Sequence, residues 1–412
     1  MMNRIVASAG VFVLGMAGLD AANVTGLTPQ EMNKWWGVSA SLRGFYDDNI
    51  FQSHTKQSSP GLEIEPSVAV NFPLEQTLIS AKYLYRLKYY TDRAGDDIDQ
   101  NHEFDFRLNH RFTERYTLNV ADSFVYSNEP ELIDQGGVVT TFNRSDSTGV
   151  RNRVPIDFHA RLSRIFGVAI GYENSFYDYK QDGLGSLSAL LDRMEHVSHI
   201  DAEYYFTDTT VGFVGYQYGF YDYTSHDEVL PGVPGTERSR VAHVVYVGAS
   251  HRFSQKLSGI VRGGVEYTDY EQAGADTDLS PYFDLSGNYV YLPGSSLRVG
   301  VKVTHAATDL AGADPADVTR DQLAAAFYAQ VTHKITSKVT GFWFGQYQFS
   351  EFNGGTLDGE NEGFLNTGVQ LAYQINPNFS ASAAYSFDWL TSDVPFRDFN
   401  RNRVWAGVTV TY

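Results

Sequence analysis

The residues best placed to do chemistry in this chain are charged groups recurring at alternate positions. Basic side chains stand at Lys82, Arg86 and Lys88, at Arg107 and Arg111, and at Arg153 and Arg161. Acidic ones are interspersed at Glu63, Glu65, Glu103, Asp105, Asp157, Asp201 and Glu203. Even spacing on an extended chain puts such groups on one face. Facing water in a passage, opposed charges would orient polar solutes, and a basic ladder would guide an anionic solute or glycan. The same residues could instead pair across strands and simply fill a wall, and the sequence leaves both readings open.

Other chemistries find little support. His196 and His199 lie three apart, so on a strand they face opposite sides and cannot share a metal. The loop carboxylates Asp92, Asp96, Asp97 and Asp99, and Asp309, Asp314, Asp317 and Asp321, lack the spacing of a calcium loop and read as solvated surface. No nucleophile elbow, phosphate loop or HExxH occurs, so the expectation is a non-enzyme with no cofactor and no metal. With 31 Lys and Arg against 49 Asp and Glu the formal charge is −18, which argues against nucleic-acid binding. The absence of Cys rules out disulfides and thiolate sites.

The elements that must position the charges are long alternating strands. In 102–112, Phe104, Phe106, Leu108 and Phe112 oppose Glu103, Asp105, Arg107 and Arg111; in 297–304, Leu297, Val299, Val301 and Val303 oppose Arg298, Lys302 and Thr304. Such segments run about 9–14 residues, beyond the usual strand of a soluble sandwich and long enough to cross a tilted bilayer span. Tight turns such as FTER (112–115), FSQK (253–256) and ITSK (335–338) alternate with longer loops such as 127–152, 180–192, 224–239 and 309–321. Short connections at one end and long ones at the other predict an all-β, transmembrane, antiparallel up-and-down barrel. Eight short turns give 18 strands, from 36–50 to 401–412, with the sixth at 152–165 and the seventh at 168–179. An open edge in lipid would strand its polar groups, so the sheet must close.

Aromatics crowd the expected strand ends, among them Tyr46, Tyr89, Tyr90, Tyr177, Tyr223, Tyr270 and Trp389 on the loop side and Phe112, Phe166, Phe206 and Phe253 on the turn side. Two interfacial belts are expected. The final Tyr412 closes an alternating strand and resembles a C-terminal signal for barrel insertion. At the other end, Arg4 precedes an apolar run from Ile5 to Leu19 and the small residues Ala21 and Ala22, which predicts a signal peptide over 1–22. Residues 23–35 would form an N-terminal arm in the periplasm, with a partial plug or a tether as the other readings, and 36–412 the barrel.

The segment GFYDDNIF, Gly44 to Phe51, resembles the opening motif of the Putative beta-barrel porin type 2 family. That resemblance implies an outer-membrane barrel and, for some members, polysaccharide export beside a periplasmic export partner. The chain therefore reads as a porin-like channel of a Gram-negative outer membrane, both termini periplasmic, passing hydrophilic solutes or an exported polysaccharide. Its expected partners are outer-membrane lipid, lipopolysaccharide and the barrel-insertion machinery. The alternative is an occluded barrel acting as a surface binding or structural protein.

Overall fold

The computed structural model describes residues 35–93, 95–128, 148–271 and 277–412. The expected signal peptide and all but the last residue of the arm lie outside the described residues, as do parts of the 127–152 and 271–279 loops.

One closed sheet of 18 strands makes the body of the molecule. It opens with β1 (Trp36–Asp47), β2 (Ser59–Pro73), β3 (Thr77–Tyr90), β4 (Ile98–Arg111), β5 (Tyr116–Ser127), β6 (Gly149–Ala160), β7 (Phe166–Tyr179), β8 (Arg193–Thr207) and β9 (Thr210–Tyr223). Two short strands, β10 (Glu228–Leu230) and β11 (Val233–Pro234), form a separate hairpin in a loop. The barrel resumes with β12 (Arg240–Arg252), β13 (Leu257–Tyr270), β14 (Asp278–Leu292), β15 (Ser295–Ala306), β16 (Asp321–Lys334), β17 (Val339–Asn353), β18 (Asn361–Asn376), β19 (Phe379–Ser392) and β20 (Phe399–Thr411). Each barrel strand pairs antiparallel with the next, and β1 pairs with β20 from Ser39↔Thr411 to Asp47↔Arg403. Beyond that ladder Tyr412 adds two bonds: its N–H donates to Val38 O at 2.8 Å, and Val38 N donates to Tyr412 O at 3.1 Å. The last residue therefore completes the seam, and its ring lies 5.8 Å from that of Trp36.

The outward face is the greasy one. On β2, Leu62 and Ile64 are 54% and 50% exposed, whereas Glu63 and Glu65 between them are 8% and 4% exposed. A soluble sheet would bury the first pair and expose the second. Only a surrounding hydrocarbon phase makes this inverted arrangement favourable, and it is the arrangement a transmembrane barrel needs. Prolines are fitted at small cost to the ladder. The β2–β3 register skips from Ile64↔Leu87 to Ser67↔Leu84 around Pro66, and the β5–β6 register skips from Val120↔Ile156 to Ser123↔Arg153 around Pro155, because proline has no N–H to donate.

The one clear displacement is at the sixth strand. The alternation through Leu162 predicts a strand to residue 165, but β6 stops at Ala160 and Phe166 opens β7. Ser163 causes the early stop: its Oγ accepts from Ile165 N at 3.2 Å and Phe166 N at 3.0 Å, closing the turn. Leu162 stays exposed in that turn and so imitates a further outward strand residue. The aromatic belts also need correction. Tyr46, Tyr89 and Trp389 are exposed outward, but Tyr90, Tyr177, Tyr223 and Tyr270 are buried. Position near a strand end fixes the height of a ring, whereas odd or even register decides whether it meets lipid or lumen.

Closure can be tested at two glycines on the seam. A Cβ at Gly407 would collide with the Leu42 carbonyl oxygen, whereas at Gly44 it meets nothing. Gly407→Val should therefore sharply lower the fraction of chain showing heat-modifiable gel migration, while Gly44→Val leaves it near wild type. Equal folding of the two variants would contradict the described seam.

Candidate functional site

Inward positions of the strands flanking the seam carry a continuous set of ion pairs. Arg43 on β1 contacts Glu63 and reaches Glu65 at 3.0 Å, both on β2. Arg86 on β3 donates from Nε to Glu65 at 2.8 Å and lies 3.3 Å from Glu103 on β4. Across the seam, Arg401 on β20 holds Asp47 on β1, with Nε at 2.8 Å from Oδ1, and Arg403 reaches Asp388 on β19 at 3.3 Å. The Arg43 guanidinium also lies 4.9 Å from the centre of the Trp405 ring. Burial of so many charges is tolerable because each guanidinium faces a carboxylate, Arg43 on Glu65 and Arg401 on Asp47 in fork geometry. A cavity of about 90 Å³ opens beside them, lined in part by Phe45, Lys88, Tyr90 and Arg403.

The other sequence candidates are spread more widely. Lys82 stands opposite Asp105 in the β3–β4 register, and Arg107 stands opposite Ser80. Arg111 is exposed at the short-turn end. Arg153 pairs with Glu173 at 2.6 Å. Asp157 is half-exposed, 3.9 Å from His199. Asp201 accepts from the Tyr246 hydroxyl at 2.7 Å, and Glu203 accepts from the Tyr205 hydroxyl at 2.7 Å and lies as near to His159 Nε2. Arg161 is a correction: it lies in the turn after β6, where Nη2 donates to Arg164 O at 2.9 Å and the guanidinium covers Tyr205. Cations alternate with carboxylates around the wall, so the groups form pairs in place of an unbroken basic ladder.

Sequence reasoning missed Arg43, Asp47, Asp388, Arg401 and Arg403. Arg43, Asp47, Arg401 and Arg403 carried a signal as odd-numbered charges on the first and last strands, and Asp388 stands on the strand beside the last; the Asp47 and Arg401 pair, 354 residues apart, meets only once the barrel closes. The calcium alternative also receives another explanation, since Asp99 pairs with Arg93 at 2.8 Å. Among the described residues no cluster of His, Asp and Glu has the arrangement of a metal site.

The long-loop mouth differs most from expectation. The segments 180–192, 224–239 and 309–321 read as solvated loops, yet they supply a common apolar core. Leu187, Leu190 and Leu191 of the helix α1 (Leu187–Leu191) pack with Val229, Val233, Ala307 and Val318 against the inward ring of Tyr223. Arg238 is 0% exposed and fastens the three segments together. It donates to Leu190 O at 2.6 Å, Thr308 O at 2.8 Å and Arg320 O at 3.2 Å. Burial lowers the pKa of its guanidinium from the usual value. Nearby, Arg240 and Asp321 meet although β12 and β16 are separated by three strands, which shows how far the mouth is drawn inward. Asp309 and Asp321, expected on the surface, are buried in this layer. Arg397 joins it by contacting Asp309 and Glu362. Burial opposes the Arg397 charge, but these two carboxylates outweigh it and raise its pKa.

Guanidinium groups also cover the inward tyrosines of the mouth. Arg93 lies 4.4 Å from the Tyr90 ring centre, Arg193 3.8 Å from Tyr177, Arg240 4.5 Å from Tyr221 and Arg320 4.9 Å from Tyr270. Each such contact is worth about 0.5–2 kcal/mol and stiffens the rim. It also occupies a ring face that a sugar would otherwise stack upon.

A family model described as Putative beta-barrel porin 2 matches residues 38–412. The chain belongs to that family. This family member is also similar in fold to OccK2 (OpdF) of Pseudomonas aeruginosa, solved in complex with glucuronate, at 10% identity and a TM-score of 0.45 over 91% of this chain and 98% of that one. It is similar to OccAB4 of Acinetobacter baumannii at 11% identity and a TM-score of 0.44, covering 93% and 100% of the two chains. The siderophore receptor PirA of Acinetobacter baumannii is similar at 9% identity and a TM-score of 0.42, over 92% of this chain and 80% of that one. No curated protein matches the sequence.

Two outcomes follow from this wall and rim. Arg86→Met leaves Glu65 and Glu103 short of a buried partner and should cost about 3–5 kcal/mol in urea unfolding from micelles. Adding Glu65→Met should not restore the loss fully, because Arg43 then loses a partner too; a single variant as stable as wild type would show the pairs to be solvated.

At the rim, Asp192 accepts from Ser188 Oγ at 2.6 Å and Tyr179 N at 2.7 Å, and burial pushes its carboxyl up to about 6. A carboxyl raised in the folded state favours folding when protonated. Its contribution is complete below the ordinary carboxylate range and disappears as pH rises through about 6. Hydrogen-exchange protection of Ala189–Leu191, taken relative to Asp192→Asn at each pH, should fall over that window. A flat ratio would contradict the burial.

Proposed function

We propose that the chain is a non-enzymatic channel of a Gram-negative outer membrane, passing small hydrophilic solutes through a lumen narrowed at its long-loop mouth. The observation that carries this reading is the inverted wall, apolar outside and ion-paired inside. Its carboxylates at the seam are committed to guanidinium partners, which fits a passage wall better than a reaction centre. β1 begins and β20 ends at the short-turn end, and in this proposal that end and both termini are periplasmic, with insertion machinery acting on the Tyr412 strand. Lipid and lipopolysaccharide then surround the barrel.

The interlocked mouth favours small solutes over a polysaccharide chain, whose passage would require the loop core to come apart together with its Arg238 clamp. It also supports the second reading, an occluded barrel that binds at its surface. Purified protein in planar bilayers distinguishes them. The channel reading expects stepwise currents of small amplitude, and larger or noisier steps from Arg238→Ala, which leaves three carbonyls short of a donor. Silence from wild type and variant, with both shown to be folded, would overturn the channel and leave the occluded barrel. Polysaccharide export has its own readout: loss of surface glycan on deletion, with small-solute permeability unchanged, would reject the small-solute assignment.

A further inference from the structure

Three of the short turns repeat a pattern that neither the wall nor the mouth uses. The sequences HRFTER (110–115), HRFSQK (251–256) and HKITSK (333–338) share His, a cation, an apolar residue, Ser or Thr, any residue and a second cation. The Ser or Thr has a structural task, since its hydroxyl accepts the backbone N–H of that second cation: Thr113 from Arg115 at 3.1 Å, Ser254 from Lys256 at 3.1 Å, Thr336 from Lys338 at 3.2 Å. The histidine and the cations are not needed for the turn.

Each of these histidines lies on the outward, lipid-facing register of its strand and is pinned in the same way. Nδ1 meets a hydroxyl of an earlier barrel strand: Thr77 of the adjacent β3 for His110 at 2.7 Å, Thr210 of the adjacent β9 for His251 at 2.8 Å and Tyr291 of β14, two strands away, for His333 at 3.0 Å. With the hydroxyl donating, the ring proton resides on Nε2 and is presented away from the ladder. Phe112 and Phe253 hold the first two rings edge-on at 4.4 Å.

Height gives the pattern its meaning. His102 and His110 on β4, and His243 and His251 on β12, are each eight residues apart and enclose only apolar outward positions: Phe104, Phe106 and Leu108, or Val245, Val247 and Ala249. Eight strand residues at about 3.4 Å each, tilted about 40°, span about 21 Å along the barrel axis, close to the apolar band of such barrels. The histidines therefore stand where hydrocarbon gives way to headgroups. Charge points to the kind of headgroup. The short turns carry Arg115, Arg161, Arg164, Lys256 and Lys338 against Glu75, Glu114 and Asp208, a net positive rim on a chain whose formal charge is −18.

We propose that these three turns are binding sites for anionic phospholipid, the phosphate taking a hydrogen bond from the histidine Nε2 and charge from the cations beside it. Glu114 opposes the charge in the first turn, so the sites at 251–256 and 333–338 are the stronger ones. The lipids would fix the barrel's height and tether its short-turn end to one leaflet.

Native mass spectrometry of the full chain, released from nanodiscs of mixed phosphatidylglycerol and phosphatidylcholine, tests this. Wild type should retain phosphatidylglycerol in preference to phosphatidylcholine, up to three molecules per barrel. Two triple variants, H110F/H251F/H333F and R115Q/K256Q/K338Q, should each lose that retention by about tenfold, the scale of one charge-assisted hydrogen bond. The second changes only turn side chains, so it remains informative if the first fails to fold. The pair H102F/H243F, at the opposite interface, should retain the lipid as wild type does. Equal retention of both lipids by wild type, or unchanged phosphatidylglycerol in the cation variant, would overturn the proposal.

Discussion

A backbone that crosses hydrocarbon must satisfy every N–H and C=O from within itself, and the rest of this structure depends on that demand. A sheet can meet it only by having no edge. Here the condition is met where β20 pairs with β1 and where the Tyr412 backbone exchanges its two bonds with Val38. Closure in turn gives each strand one side facing lipid and one facing the lumen. Alternation in the sequence is then a consequence of the solvent on each side.

Closing the sheet creates a second problem, a wall that is dense with charge. The structure solves it locally. Arg43, Arg86 and Arg401 each meet carboxylates of an adjacent strand, so charge is neutralised within a few ångströms. At the mouth the solution is different: Arg238 contacts backbone carbonyls rather than acids, and turns three separate loops into one packed layer. The first arrangement makes a stiff polar lining. The second makes a rim whose opening depends on a single clamp, and so links loop packing to what can pass.

The fold was legible because its signal is repetitive and local. Eighteen strands follow from period-two alternation and turn spacing, since both reflect neighbours along the chain. The sixth strand shows the limit: a hydroxyl at Ser163 ended it where the alternation alone ran on. The site was legible only in part. Arg86, Glu65 and Glu103 could be placed together because they lie on consecutive strands. Asp47 and Arg401 could not, being brought together only by closure, and Leu190 and Val318 looked like loop residues because nothing local marks loops that pack on one another. Even the tyrosines were half legible, with height readable from position and side readable only from exact register.

The central claim is that lipid lies on one side of this sheet and water on the other. Because the chain has no native Cys, single cysteines can be placed and spin-labelled at successive positions of β12 from Val244 to Ala249 in liposome-reconstituted protein. The account predicts high collision rates with oxygen at Val245, Val247 and Ala249, and low rates at Val244, Tyr246 and Gly248. Uniform accessibility along the strand, or contact with a water-soluble relaxing agent at Val245 and Val247, would contradict it.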